Sequence, residues 1–218
     1  MYECFARDLI QVMCKDIEIR IPNFDDLDEK IKSEHAQATG RILSRHHHKR
    51  YSEFDYLDLS KKLGTCTPGS KGYSLNAGPL ASHERNLSSE ELAKLFGRLE
   101  LGDLLGKIGS TSTIQNHFQL MDSAKAREDS RAKLDEFILL RNQVAHNGSG
   151  ENSIGPEAIG QWMAFVLVLA ESLSTVAEAH CGAMRPCPTP PVTAATPAVS
   201  PAPAAPSAPA TPAPPASP

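Results

Sequence analysis

The sequence predicts an all-α protein, an antiparallel bundle of four main helices with extra short helices and a disordered C-terminal tail. Three observations lead there. Apolar residues recur at three- and four-residue spacing in several long segments. No segment shows the strand-rich alternation that would compete, and no repeat of fixed period is visible. From Pro186 to Pro218 the chain is almost wholly Pro, Ala, Ser, Thr and Val, with 13 prolines and no charged or aromatic residue. Such a composition cannot bury enough apolar surface to offset the entropy of ordering it. Residues 1–182 are therefore assigned to a helical domain and 183–218 to a disordered Pro/Ala-rich tail.

The first helix is predicted from Tyr2 to Ile17, where Phe5, Leu9, Val12 and Met13 carry the periodicity, and Pro22 ends any continuation. A second, from about Asp25 to Gly40, opens on acidic residues and closes on a glycine. Its sparse apolar positions, Leu27 and Ile31, predict a peripheral element. A third spans about Ser52 to Leu63 before Gly64, with Phe54, Leu57 and Leu59 near one another. Residues 64–87 read as a loop punctuated by Pro68-Gly69, Lys71-Gly72 and Gly78-Pro79, with a short strand or turn at Tyr73-Ser74-Leu75. A loop of this length is expected to be functional or mobile.

Ser88 and Glu91 stand in capping-box spacing ahead of Leu92, Leu95, Phe96 and Leu99, predicting a helix to about Leu101. A short segment from Ile114 to Met121 links it to the last two helices. The helix from Ser123 to His146 has its apolar stripe at Leu134, Phe137, Ile138 and Ala145, and the spacing calls for an apolar residue where Arg141 stands. A charge on a face that should be buried must find a partner or a cleft. Gly148-Ser149-Gly150 supplies the stop. After Pro156, the segment from Glu157 to about His180 is apolar on nearly every side, as expected of a central helix or one shared with a partner chain.

Composition narrows the function classes. Roughly 180 residues remain for folding, enough for one domain with a sizeable core. A net charge of −4 disfavours general nucleic-acid binding, so any RNA must meet a local basic patch or cleft. The longest uninterrupted apolar run, Trp162 to Ala170, is about half of the ~20 residues a membrane span needs, so no membrane is expected as partner. Glu3, Arg7 and Asp8 are foreign to a secretory leader, and a cytoplasmic location is expected. The five cysteines (Cys4, Cys14, Cys66, Cys181, Cys187) form no CxxC pair and read as free or buried thiols.

The chemistry concentrates in Arg141-Asn142-Gln143-Val144-Ala145-His146. Histidine exchanges a proton near neutral pH, while a permanently charged arginine holds a phosphate. On a helix Asn142 and His146 share a face, and Arg141 lies ~140° around from His146. Two side chains so placed converge on one phosphate when a second helix forms the other wall of a cleft. The carbonyl dipoles at a helix C-terminus favour imidazolium at His146. That suits acid-base work on a ribose 2′-hydroxyl and a leaving 5′-oxygen, with Arg141 stabilising the charge that builds on phosphorus. The plainer reading is that Arg141 and His146 only complement a helix end and cap its carbonyls.

The block from Leu134 to Asn147 resembles the signature helix of the HEPN superfamily. The region from Asn76 to Leu105, where Asn86-Leu87-Ser88 opens a Leu-rich helix, is similar to the RiboL-PSP or MAE-type branch. The resemblance covers about residues 2–180. It implies a metal-independent endoribonuclease with Arg141, His146 and Asn142 as catalytic residues and no cofactor. It also implies a homodimer, because one histidine cannot conveniently serve as both base and acid, whereas two copies facing across a two-fold axis supply a pair. The implied setting is a toxin or antiviral-defence effector, with RNA as substrate and an antitoxin or defence-system protein as possible partner. Two departures stand out. The chain begins inside what corresponds to the family's first long helix, and Gly148 replaces the tyrosine that many such toxins carry two positions after the histidine, so control by adenylylation of that tyrosine is not expected. The alternative is a non-catalytic helical module for dimerisation or RNA binding.

Three other features stand apart from this motif. Arg45-His46-His47-His48-Lys49-Arg50 is the strongest basic cluster. Consecutive histidines on a helix point in different directions and make a poor zinc site, which leaves a solvated patch or an RNA-phosphate contact through Arg45, Lys49 and Arg50. Glu3 and Asp8 read as ordinary exposed acids or as carboxylates orienting Arg141 or His146. The tail has PxxP spacings such as Pro203 to Pro206 but no adjacent basic residue, and reads as a semi-extended spacer.

Overall fold

A computed structural model describes residues 2–45, 48–84, 86–147 and 155–185. The expected glycine stop at 148–150, Cys187 and the Pro/Ala-rich tail lie outside the described residues, as do the side chains of Arg50, His146 and Asn147. Among the described residues there are nine α-helices and no strand: α1 (Tyr2–Arg20), α2 (Glu29–Ser44), α3 (Tyr56–Thr65), α4 (Ala77–Ala81), α5 (Ser89–Gly97), α6 (Leu104–Gly109), α7 (Ser112–Phe118), α8 (Ser123–Asn147) and α9 (Pro156–Ala183). The all-α expectation holds, and the four longest helices, α1, α2, α8 and α9, frame the domain.

Helix α1 is amphipathic, but its buried stripe is Tyr2, Ala6, Ile10, Met13, Cys14 and Ile17. Val12, expected inside, is 60% exposed. The chain breaks at Pro22, passes a 3-10 turn at Phe24–Asp26, and enters α2 later than the acidic run suggests, because Asp28 caps it by accepting from the Lys30 amide at 2.7 Å. Gly40 does not end α2. The helix runs on to Ser44 because Ile42 is buried with Tyr51 and Leu59 in a second apolar cluster. Helix α3 likewise starts late, at an Asp55 cap, and leaves Leu57 83% exposed.

The segment read as a loop is pinned rather than loose. Tyr73, Leu75, Leu80 and Leu87 are buried, no strand forms at 73–75, and the one-turn helix α4 lies within it. Glu18 of α1 accepts from the Leu75 amide at 2.6 Å. Asn76 is buried and binds α2 and α3 together. Its amide donates to His35 Nε2 at 2.9 Å, and its side-chain nitrogen donates to Thr39 Oγ1 at 3.2 Å and to the Leu59 carbonyl at 3.0 Å. Two polar residues of α2 thus do structural work that apolar periodicity does not reveal.

His35 can accept only while Nε2 is unprotonated, and burial pushes its pKa down to about 4. A histidine whose folded pKa lies below its unfolded value near 6.5 contributes stability that is fully present above pH ~6.5 and is lost as pH falls toward the folded pKa. Denaturant unfolding at pH 7.5 and 5.0 is expected to show a loss of about 2 kcal/mol in the wild type that His35→Gln lacks. An equal loss in both proteins overturns the assignment.

Helix α5 begins as expected, with the Ser88 hydroxyl accepting from the Glu91 amide, but ends at Gly97. Glu100 and Asp103 then adopt positive φ angles of 66° and 46°, turning the chain into α6. Helix α6 packs on both α8 and α9, and so does α7. Gly109 is needed for this: a Cβ there would stand 2.7 Å from the Ser123 carbonyl and 2.8 Å from the Arg127 amide, both backbone atoms of α8. By length and composition α9 meets the measure of a bilayer-crossing helix, with mean hydropathy 1.5 over its most apolar window. The shorter uninterrupted run did not suggest this. Its Phe165, Leu169, Leu173, Val176, Ala177 and Cys181 are nevertheless buried in the protein core. Among the described cysteines, Cys4, Cys14, Cys66 and Cys181 are free thiols.

Candidate active site

Helix α8 buries Ala126, Ser130, Leu134 and Ile138, a stripe of four-residue steps. Beyond Ile138 the helix leaves the core, so position 141 is not the buried one the sequence predicts. Arg141 is 46% exposed at the rim of a groove between the end of α8 and the start of α9. Phe137 and Val144 form one wall, Ile159, Trp162 and Met163 the other, and Tyr2 the floor, around a cavity of about 440 Å3. Phe137 and Trp162 meet with ring centroids 5.8 Å apart, and Lys133 Nζ lies 5.2 Å from the indole centroid.

The Arg141 guanidinium donates to Glu3 Oε1 at 2.7 Å. Glu3 sits in the first turn of α1, where the helix dipole favours a carboxylate, and it also accepts from the Leu87 amide at 3.5 Å. The plainer view of Glu3 as an ordinary exposed acid is therefore wrong: it is one-quarter exposed and fixes Arg141. Asp8 is exposed and forms no hydrogen bond or ion pair with Arg141. Asn142 accepts from Asn86 Nδ2 at 3.0 Å. His146 follows Asn142 by four residues in the last turn of the same helix. Six residues before Arg141, Asp135 accepts from both the amide and the hydroxyl of Ser89, at 2.8 and 2.7 Å, which ties α8 to the first turn of α5.

The Tyr2 hydroxyl is buried without a hydrogen-bond partner among the described residues. Burial, with Glu3 and Asp135 adding negative charge nearby, pushes its pKa far above the usual phenol value. It stays neutral and is no candidate base.

The description RiboL-PSP-HEPN matches residues 1–179. The chain belongs to the RiboL-PSP-HEPN family. The match takes in α1 to α8 and nearly all of α9, including Glu3, Asn86 and the Arg141–His146 block. Comparison with curated proteins and with solved structures returns no match.

In this HEPN domain Glu84, Asn86 and Leu87 join features that the sequence kept apart. Glu84 accepts from Arg45 Nη1 and from the Tyr51 hydroxyl, each at 3.4 Å, Asn86 holds Asn142, and the Leu87 amide meets Glu3. Arg45, the first residue of the basic cluster, is thereby tethered to the same stretch of chain that supports Arg141 and Asn142. Arg45 itself is partly neutralised by Glu84, whereas Lys49 is exposed in a 3-10 turn. His46 and His47 lie outside the described residues. Glu3 is the carboxylate that one of the two sequence readings set beside Arg141, whereas Glu84 and Asn86 were missed as partners because they act across 39 and 56 residues, and no local pattern marks such contacts.

Proposed function

We propose that this RiboL-PSP-HEPN domain is a metal-independent endoribonuclease that works as a homodimer. The observation that carries the reading is Arg141, which shares α8 with Asn142 and His146 and is held at the rim of an apolar groove by the Glu3 carboxylate of α1. A phosphate replaces the Glu3 carboxylate in kind, since both present oxygens to the arginine fork. His146 takes the 2′-hydroxyl proton as the oxygen attacks phosphorus, or delivers a proton to the leaving 5′-oxygen; the second protomer's copy does the other. Arg141 stabilises the added negative charge, and Asn142 positions the phosphate by hydrogen bonding. The products are a 2′,3′-cyclic phosphate and a 5′-hydroxyl.

The dimer reading is supported by the face around the groove. Leu139, Val144, Ile159, Met163 and Leu167 are 48–68% exposed on the facing ends of α8 and α9, an apolar area of the kind that marks an interface. A second copy seated there would bring two α8 ends together. The proposed setting is the cytoplasm, with the protein acting as a toxin or antiviral effector. Growth arrest by the wild type, but not by His146→Ala, tests that setting.

The deciding experiment incubates wild type and His146→Ala with single-stranded and structured RNA in EDTA and reads cleavage and product ends. Cleavage by the wild type alone, leaving cyclic phosphates, is the expected result. A second reading, a non-catalytic dimerisation or RNA-binding module, is favoured by the neutralisation of Arg141 by Glu3 and by the net charge of −4. Intact dimers that bind RNA without cutting it would select that reading.

A further inference from the structure

A second cavity, of about 500 Å3, opens on the other side of Glu3, between α1 and the turn at residues 51–54. Its size suits a small ligand. Glu3 lines both this cleft and the groove, so the two spaces share a wall at the Arg141 ion pair.

Of the cleft's polar side chains, Glu3 is paired with Arg141 and the Tyr51 hydroxyl donates to Glu84, whereas Arg7, Gln11 and Glu53 retain hydrogen-bonding capacity. Among the described residues Arg7 has one hydrogen bond, to Cys4 Sγ at 3.6 Å. Glu53 and Gln11 line the cleft and make no side-chain hydrogen bond or ion pair among the described residues. The Arg7 pKa is raised chiefly by its hydrogen bond to Cys4 and to a lesser degree by the charges of Glu53 and Asp8, and Arg7 and Glu53 are not in an ion pair. A guanidinium and a carboxylate facing the same cleft without closing on each other leave room for a ligand that complements both. The Phe54 ring forms part of the wall. It rests so closely on Gly78 that a Cβ there would stand 2.9 Å from the ring, which fixes how deep the ring sits.

We propose that this cleft seats a guanine base of the RNA, next to the phosphate held at Arg141. Guanine presents two acceptors, N7 and O6, to the arginine fork, and two donors, N1–H and the 2-amino group, to a carboxylate. No other RNA base offers two acceptors on one edge and two donors on the next. Arg7 takes the first edge, Glu53 the second, and Phe54 supplies an aromatic surface for stacking. The inference deepens the proposed RNA cleavage and takes its biological meaning from it, but its test is independent of catalysis.

The test measures binding of labelled 2′-O-methyl pentanucleotides that differ only in the central base; the methyl group removes the nucleophile, so nothing is cleaved. The wild type is expected to bind the guanine oligomer about tenfold more tightly than the adenine, cytosine and uracil versions. Glu53→Gln, close to isosteric, is expected to abolish that preference while the thermal unfolding midpoint stays unchanged. An inosine oligomer, lacking the 2-amino group, should fall between. Equal or undetectable binding of the four oligomers, or a preference that survives in Glu53→Gln, overturns the proposal. Guanosine monophosphate binding as tightly as the oligomer overturns the RNA assignment in favour of a free nucleotide. A guanine preference without cleavage of unmodified RNA counts against the nuclease reading and leaves the cleft standing. Cleavage without the preference does the reverse.

Discussion

Replacing Arg141 or His146 by alanine is expected to lower the rate of RNA cleavage by about 10²- to 10³-fold while leaving the fold intact. The first half rests on differential binding: Arg141 is asked to meet charge that develops only as the 2′-oxygen adds to phosphorus, so its loss falls on the rate more than on substrate affinity. The second half rests on position. Arg141 lies beyond Ile138, the last buried residue among the described side chains of α8, and its ion pair with Glu3 is partly exposed, a kind of contact worth at most about 1 kcal/mol. His146 follows Arg141 by five residues, next to the last residue of the same helix. Arg141→Lys keeps the charge and loses the planar fork, so an intermediate rate is expected. Single-turnover cleavage, with thermal unfolding of each variant, checks the set; a full rate in either alanine variant removes the mechanism.

Gly109→Ala is expected to cost about 3 kcal/mol. The atoms that its Cβ would meet belong to the backbone of α8, which cannot rotate away as a flexible side chain can. Either α6 moves outward, opening the contacts of Leu104 and Ile108 with the core, or α8 shifts with the Arg141 end attached to it. Urea unfolding gives the first quantity. Cleavage measured well below the unfolding midpoint reports the second, and an unchanged midpoint with full activity contradicts the close approach. By contrast, Gly40→Ala has open space around its Cβ and sits inside α2, so a helix-propensity gain is all it should produce.

The long helices were legible because their signals are local. The Ser88 cap, Pro156 at the first turn of α9 and the three- and four-residue periodicity all act within a few residues of where they are read. Helix α2 was misplaced because a glycine in a helix interior costs only about 1 kcal/mol, less than burying Ile42 returns. Helix α4 is too short to leave a period, and its position is set by Asn76 reaching residues 17 to 41 positions away. The same division runs through the site. Arg141, Asn142 and His146 stand in one motif on one helix, whereas the carboxylate that holds Arg141 comes from the other end of the domain sequence. Burial of position 141 was wrongly expected because periodicity shows which side of a helix is apolar and not how far along its length the core extends.

Trp162 gives the groove an optical property of its own. It is the chain's one tryptophan, it forms part of the groove wall, and a lysine ammonium stands over its ring. Any surface that closes over α8 and α9, a second copy included, strips water from that indole, whereas a base entering the cleft beyond Glu3 leaves it wet. Emission from the unlabelled protein therefore separates assembly from substrate capture in one cuvette, through the colour of a single residue.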